Sequence, residues 1–226
     1  MKTKQWIGIL LTIVLMLSLA SCGTKNREET DKENTSNITA QTSEPDNGEK
    51  GSQESEERSS GDGNILVVYF SYTGHLDSMA HWIADETGGD LIRVTAKEAY
   101  SDDYDETVDR AKKEQDEDAR PQINAELTQE QLAGYDTVFF GFPVWWYDIP
   151  MPMYTFLDTY DFSGKTIIPF FSHEGSSNGA SAKETIEQQA AGADVRFDDA
   201  LSIRGGEVDS SEQDVREWVI NLGFGK

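Results

Sequence analysis

The chain has 226 residues, of which 42 are Asp or Glu and 19 are Lys or Arg, so its formal net charge is −23. A chain this acidic is a poor ligand for nucleic acid or for anionic lipid, because both carry charge of the same sign. Its three histidines, at 75, 81 and 173, lack the spacing of a metal site, and its single cysteine excludes an internal disulfide.

Residues 1–21 have the pattern of a signal peptide. Two lysines precede an apolar run over residues 7–19, which is too short for a comfortable transmembrane span. Two small residues stand directly before Cys22, and this end resembles the bacterial lipoprotein processing site. The resemblance implies that Cys22 becomes the N-terminus, lipidated by acyl chains such as palmitate. We therefore expect an extracytoplasmic protein anchored to a bacterial cell membrane.

Residues 22–62 have a different composition. After the cysteine they are rich in Ser, Thr, Asn, Glu, Asp and Gly and have hardly any aliphatic residue, so they cannot bury enough apolar surface to order themselves. We expect a disordered tether here. The remaining residues, 63–226, are enough for one globular domain, with twelve basic and thirty-one acidic residues and a net charge of −19.

The first element of this domain is Ile65–Phe70, a run of apolar and β-branched residues that predicts a buried strand. The run stops at the turn S-Y-T-G, residues 71–74, and a helical pattern follows over residues 76–86. Such a turn suits a phosphate, because the first backbone N–H groups of a helix have no partner within it. Its hydroxyls add donors and its glycine lets the backbone approach closely. An ordinary capped turn would look the same, and this alternative stays open.

Strand-like and helix-like segments alternate through the rest of the domain. Further strands are predicted at residues 91–95, 137–142, 166–171 and 200–203. Further helices are predicted at residues 104–117, 152–157, 182–191 and 211–222. Five strands alternating with helices predict the α/β class, with one parallel sheet covered on both faces.

Ligands of such sheets bind beyond the carboxyl ends of the strands, where the strand order reverses. In the order 2-1-3-4-5, the first, third and fourth strands are neighbours. The loops that follow them, residues 71–76, 143–148 and 172–179, are therefore expected to meet in one crevice.

Four motifs carry a resemblance to a known family: S-Y-T-G at 71–74, P-V-W-W-Y at 143–147, D-F-S-G-K-T-I-I-P-F at 161–170 and a glycine- and serine-rich loop at 172–179. With these motifs in this order, residues 64–226 resemble the bacterial flavodoxin-like family. The resemblance implies a flavodoxin-like three-layer α/β/α fold with a five-stranded parallel sheet of order 2-1-3-4-5. It also implies FMN as the cofactor.

The resemblance further implies a role for each loop. Residues 71–76 would hold the terminal phosphate through backbone N–H groups and the helix dipole, and the aromatic residues at 145–147 would stack on the isoalloxazine ring. Residues 172–179 would approach the other side of the ring. The implied cofactor-binding residues are Ser71, Tyr72, Thr73, Gly74, His75, Leu76, Pro143, Val144, Trp145, Trp146, Tyr147, Ser172, His173, Glu174, Gly175, Ser176, Asn178 and Gly179.

Two parts of the chain depart from the family's pattern. Where family loops commonly end in Asn and Thr, this chain has His75 and Leu76. Leu76 lacks the hydroxyl that donates to the phosphate, a loss of about 1 kcal/mol for one hydrogen bond. Glu174 stands where the family tends to have glycine or a small residue. Its carboxylate and that of Asp148 are expected to lie near the flavin and to lower its potential.

These features predict an FMN-binding electron-transfer protein or an FMN-dependent oxidoreductase on the outer face of a bacterial membrane. The sequence does not identify its redox donor and acceptor, and NAD(P)H would have to stack transiently on the flavin because no dinucleotide fingerprint is present. Tyr147 and His173 are candidate proton donors, or they only line the pocket. No catalytic residue is assigned.

A different class of function is an anchored surface lipoprotein that keeps the scaffold, has lost FMN and acts as a binding or interaction module. Leu76 and Glu174 favour it, whereas the intact turn at 71–74 and the aromatic residues at 145–147 oppose it. A hydrolase lacks support, because neither a G-x-S-x-G elbow nor a Ser/His/Asp arrangement is present.

Overall fold

The computed structural model describes residues 64–175, 177 and 179–226 of the chain. The predicted signal peptide, Cys22, the predicted tether, Gly63 and the loop residues Ser176 and Asn178 lie outside the described residues. Within the described ranges, no helix is both long enough and apolar enough to cross a membrane.

One sheet contains the strands of the described residues. They are β1 (Ile65–Phe70), β2 (Asp90–Ala96), β3 (Ile123–Asn124), β4 (Thr137–Pro143), β5 (Thr166–His173), β6 (Asp194–Val195) and β7 (Leu201–Arg204). The order across the sheet is β3-β2-β1-β4-β5-β6, and β7 also pairs with β5. All pairings are parallel except that of β2 with β3. β6 pairs with the start of β5 and β7 with its end, so both lie along the same edge.

Helices cover both faces of this sheet. They are α1 (His75–Thr87), α2 (Tyr104–Asp116), α3 (Gln129–Ala133), α4 (Met151–Thr159), α5 (Ala180–Gln189) and α6 (Glu212–Asn221), with 3₁₀ turns at Phe197–Asp199 and Gly205–Ser210. Side chains of β1 alternate between the faces. Val67 therefore packs in a core with α1 and α6, and Val68 packs in a second core with α4 and α5.

The predicted fold is confirmed. The five predicted strands are β1, β2, β4, β5 and β7, in the predicted order. The two-residue strands β3 and β6 and the five-residue helix α3 are missing from the prediction, because such short segments show no periodicity. α3 does have a sequence signature, a capping box: Gln131 N–H donates to Thr128 Oγ1, and Thr128 N–H donates to Gln131 Oε1.

Strand register decides which loops meet. β4 pairs with β5 through to Pro143 and Ser172, and β1 pairs with β4 through to Tyr69 and Gly141. The carboxyl ends of the three strands therefore lie at one edge of the sheet. The loops after β1, β4 and β5 leave that edge side by side, which is where doubly wound sheets bind ligands.

Gly141 of β4 is expected to tolerate no side chain. A Cβ built on it would clash with the ring of Phe170 and lie 2.8 Å from Cβ of Tyr69. The variant Gly141→Ala should lose about 1–3 kcal/mol of unfolding free energy in urea denaturation, because a rigid ring and a strand must move. Gly206→Ala is the control, since a Cβ there has nothing within 4 Å. Equal denaturation midpoints for the two variants would contradict the packing argument.

Candidate cofactor site

The turn between β1 and α1 leaves backbone donors free at the carboxyl edge of the sheet. Gly74 N–H donates to Ser71 Oγ at 3.1 Å, and Gly74 has a φ of 96°, a left-handed conformation that favours glycine. The N–H groups of His75, Leu76 and Asp77, in the first turn of α1, have no hydrogen-bond partner among the described residues. With the positive end of the helix dipole, these donors suit an anion.

Leu76 offers this turn only its backbone. Its side chain is buried in the core with α1 and α6, so no hydroxyl is available at this position. Thr73 is exposed, and its Oγ1 lies 3.2 Å from Nδ1 of His75. The Thr73 hydroxyl is therefore in contact with the imidazole of His75.

The loop after β4 is a two-residue hairpin. The N–H of Trp145 donates to the carbonyl of Asp148 at 2.8 Å, and the N–H of Asp148 donates back at 2.9 Å. Trp146 and Tyr147, between them, have φ angles of 47° and 72°. Positive φ at both central residues is the type I′ geometry that Asn-Gly usually fills. A bulky residue in this conformation costs about 1–2 kcal/mol.

Asp148 anchors the hairpin to two helices. Its carboxylate accepts hydrogen bonds from the N–H of Ile149, the hydroxyl of Tyr154 in α4 and the hydroxyl of Thr185 in α5, each at 2.8 Å. Burial, together with the hydrogen bond to Asp148, raises the pKa of Tyr154 to about 12. The carboxylate that the sequence places beside a flavin is thus held by α4 and α5.

The two tryptophans of the hairpin have different environments. Trp145 is half-buried and packs edge-on against Phe70, Tyr72 and Tyr100, at ring-centroid distances of 5.5, 5.9 and 5.1 Å. Trp146 is 42% exposed, and its indole N–H donates to a carbonyl of α2 at 3.4 Å. One indole therefore belongs to an aromatic cluster, and the other joins the hairpin to α2.

The loop after β5 presents an imidazole and a carboxylate. Gly175 N–H donates to Nδ1 of His173 at 2.8 Å, so the neutral ring carries its proton on Nε2. Glu174 is exposed, and its Oε1 would lie 2.5 Å from a Cβ built on Gly205. The same Cβ would lie 2.9 Å from Nδ1 of His75. Because Gly205 has no side chain, the Glu174 carboxylate can approach His75 at the start of α1.

Three predicted site residues have structural positions. Pro143 ends β4 and is half-buried, and Ser172, its register partner, is buried. The carbonyl of Ser172 accepts from the N–H of Val144 at 2.8 Å, which joins the loops after β4 and β5. Gly179 has a φ of 73° directly before α5, and a Cβ there would lie 2.9 Å from the ring of Phe171.

One cavity joins the three loops. It has a volume of about 310 Å³ and a mostly apolar lining. It is lined by Tyr72, Tyr104, Thr107, Val108, Ala111, Val144, Trp145, Trp146, Tyr147, His173, Glu174 and Ser177. Seven of these are predicted cofactor-binding residues, and they come from all three loops. A more open cavity of about 610 Å³ shares Tyr147, His173 and Ser177 with it and includes the predicted Gly175.

The contribution of α2 is missing from the sequence prediction. Four residues of α2 line the cavity, Tyr104, Thr107, Val108 and Ala111, whereas the sequence analysis assigns no site residue to the helix predicted at residues 104–117. A sequence pattern does mark them. They fall at positions i, i+3, i+4 and i+7 and so share one face of the helix.

The fold and the cavity define a class of protein: a doubly wound α/β domain with its ligand cavity at the carboxyl edge of the sheet. The sequence profile of the flavodoxin family matches residues 64–222. The chain therefore belongs to the flavodoxin family, as its motifs predict.

Several solved structures are similar to this chain. A protein from Bacteroides uniformis assigned as a flavoprotein is 29% identical, with a TM-score of 0.59, and the match covers 70% of this chain and 98% of that one. A protein from Bacteroides eggerthii with the same assignment is 27% identical, with a TM-score of 0.59 and coverage of 71% and 98%. The flavoprotein of Lactobacillus acidophilus, solved in complex with FMN, is 25% identical, with a TM-score of 0.52 and coverage of 66% and 97%.

Tyr154, whose hydroxyl donates to Asp148, makes the folding stability of the protein depend on pH. Its pKa is raised from 10 to about 12 in the folded state. Between these values the unfolded chain has lost the tyrosine proton and the folded protein keeps it. This contribution to stability is therefore complete below about pH 10 and is lost as the pH rises through about 12. Between pH 10 and pH 12, the unfolding free energy from urea denaturation should fall less steeply in Tyr154→Phe than in the unmodified protein. Equal slopes of unfolding free energy against pH in the two proteins would contradict the raised pKa.

Proposed function

We propose that this protein binds FMN in the cavity of about 310 Å³ and works as an electron carrier or an FMN-dependent oxidoreductase. The observation that carries the proposal is that a cavity lined by aromatic residues lies beside the turn between β1 and α1, whose backbone N–H groups are unpaired among the described residues. Tyr72 belongs to that turn, and its ring lines the cavity. Membership of the flavodoxin family and the FMN bound by the Lactobacillus acidophilus relative support it.

The residues of the cavity fit an isoalloxazine ring. Trp145, Trp146 and Tyr147 offer flat apolar surface, and such aromatic contacts contribute about 0.5–1.5 kcal/mol beyond the area buried. His173 adds an Nε2–H donor, and Glu174 adds a carboxylate acceptor. This mixture of apolar walls and few polar groups is usual for a cofactor site.

The turn between β1 and α1 fits the phosphate of FMN. The N–H groups of His75, Leu76 and Asp77 would hold its oxygens, with the helix dipole behind them. Binding through dipoles needs no cluster of cations, which suits a domain of net charge −19.

FMN, when bound, exchanges one or two electrons or accepts a hydride. The role of the protein is to hold the isoalloxazine ring and to control which molecules reach it. Trp145 lines the cavity, and Phe70 and Tyr100 pack edge-on against its ring and hold it in place. Trp146 and Tyr147, 42% and 59% exposed, leave a side open to a redox partner. His173 Nε2–H and the Tyr147 hydroxyl are the candidate donors where that partner takes up a proton.

The proposal places this domain on the outer face of a bacterial membrane. Its support is the signal-peptide pattern before Cys22 and the polar tether of residues 23–62. If these residues form the flexible tether that their composition predicts, it would span about 30–40 Å on average, enough to reach membrane-bound electron donors. Labelling with palmitate that survives in a Cys22→Ala variant would contradict the anchor.

An FMN titration tests the cofactor assignment. We expect the purified protein to turn yellow with FMN, to quench flavin fluorescence and to unfold at a higher temperature, because a ligand that binds only the native state stabilises it. Anaerobic addition of NADH or NADPH then shows whether a nicotinamide reduces the bound flavin. A colourless protein without a thermal shift would refute the proposal.

The second candidate function is a binding module that has lost FMN. The buried Leu76, which gives the phosphate turn no hydroxyl, and the Glu174 carboxylate near the start of α1 favour it. It predicts that FMN gives no thermal shift while the protein stays folded and anchored. The titration above therefore separates the two functions.

Tyr147 is expected to serve binding at the expense of stability. Tyr147→Gly removes a ring that is 59% exposed from a φ of 72°. Its unfolding free energy should stay equal or rise by about 1 kcal/mol, because glycine has no strain there. Its affinity for FMN should fall about 2–10-fold with the loss of the ring. Tyr147→Phe, which keeps the ring, is the control, and an equal loss of affinity in both variants would contradict a stacking role.

Glu174 is expected to lower the redox potential of the flavin. Its carboxylate lines the cavity, and a nearby negative charge disfavours the addition of an electron. Glu174→Gln should raise the midpoint potential in a spectroelectrochemical titration. Glu217→Gln removes the same charge from α6 and should change the potential less. An unchanged or lower midpoint in Glu174→Gln would refute this role.

A further inference from the structure

Arg93 lies beside the turn between β1 and α1, although it belongs to β2. Its register partner in β1 is Tyr69, two residues before the turn. One guanidinium nitrogen lies 3.1 Å from Oδ1 of Asp77, in the first turn of α1. Another donates to the carbonyl of Ser71 at 3.2 Å. Arg93 therefore connects the residue where the turn starts to the helix where it ends.

Asp77 is held from a second side as well. The hydroxyl of Tyr69, a core residue that is 3% exposed, donates to the same Oδ1 at 2.8 Å. Burial, together with this hydrogen bond, raises the pKa of Tyr69 above its ordinary value, so the hydroxyl keeps its proton. The carboxylate of Asp77 is thus fixed by the core, and Arg93 is fixed by Asp77.

These contacts also fix the turn that carries the free backbone donors. Ser71 receives Arg93 on its carbonyl and the N–H of Gly74 on its hydroxyl. An unpaired carbonyl oxygen of Ser71 would repel an anion, but this oxygen accepts a hydrogen bond from the guanidinium of Arg93. We infer that Arg93 is a positioning residue for phosphate recognition, which fixes the turn so that its free N–H groups are aligned before FMN binds. This inference rests on the proposed binding of FMN.

Arg93 acts here through Ser71 and Asp77 and not as a cation on the phosphate. The Asp77 carboxylate, 3.1 Å away, cancels most of the field of the guanidinium. The two side chains are 46% and 28% exposed, and such an ion pair contributes little stability by itself. Its effect is on the geometry of the turn, where a small displacement of donors weakens the hold on a ligand.

The experiment compares FMN with riboflavin, which lacks the phosphate, on the full-length protein. The ratio of the riboflavin Kd to the FMN Kd, from flavin fluorescence, measures recognition of the phosphate alone. Arg93→Met keeps the aliphatic stem and removes the donors, so the ratio should fall about tenfold while the riboflavin Kd stays within about twofold. Arg216→Met, which removes an equal charge from a pair with Glu86 and Glu212, is the control and should keep the ratio.

Asp77→Ala separates positioning from charge. If Arg93 acted on the phosphate as a cation, removing the carboxylate that cancels its charge would raise the ratio. If it positions the turn, the variant loses the acceptor that holds both Arg93 and Tyr69, and the ratio falls. We expect the fall. Tyr69→Phe changes no charge and should lower the ratio by a smaller factor, because Asp77 still holds Arg93.

A measurement without flavin tests the same idea. Amide hydrogen exchange of Gly74, whose N–H is bound to Ser71, should become faster in Arg93→Met and stay unchanged in Arg216→Met. The inference is overturned if Arg93→Met keeps both the ratio and the exchange rate of the unmodified protein, or if Asp77→Ala raises the ratio. Failure of the unmodified protein to bind either flavin would overturn the proposed function, and this inference with it.

Discussion

The register of the parallel strands is the constraint on which the candidate site depends. β1, β4 and β5 pair in line almost to their last residues, so the loops that follow them start at one edge of the sheet. Each loop supplies one kind of group: backbone donors after β1, aromatic rings after β4 and polar side chains after β5. A slip of one residue in any pairing would turn every side chain of that strand to the other face and displace its loop. The core and the site therefore depend on the same pairings.

The hairpin after β4 holds strain at this edge, and contacts around it offset the strain. Trp146 and Tyr147 have positive φ angles that glycine or asparagine would adopt more easily. Asp148, with hydrogen bonds to α4 and α5, and Trp145, packed against three rings, fix the two ends of the turn. The strained geometry leaves the rings of Trp146 and Tyr147 partly exposed beside the cavity. Strain that presents rings to a cavity favours a role in ligand binding.

The sequence predicts the sheet and its loops well, because long apolar runs determine the strands and strand ends determine where loops start. It does not predict the direction of side chains within those loops. Nothing in the residue types at 146 and 147 indicates positive φ, and no local pattern shows that Asp148 accepts hydrogen bonds from Tyr154 of α4 and Thr185 of α5. The cavity face of α2 is periodic in sequence, but its charged residues conceal it. Arg93 is in contact with Ser71 through strand pairing, which no local pattern shows.

The acidic charge of the domain limits how an anion can be recognised. Residues 63–226 carry a net −19, so a phosphate that approaches from solution is repelled at long range. The groups at the start of α1 act at short range: free N–H donors, a helix dipole and a guanidinium already paired with Asp77. Such a site can hold one small phosphate while the domain repels larger polyanions. Its selectivity then depends on the geometry of the turn, and a residue that fixes this geometry contributes to recognition without contacting the ligand.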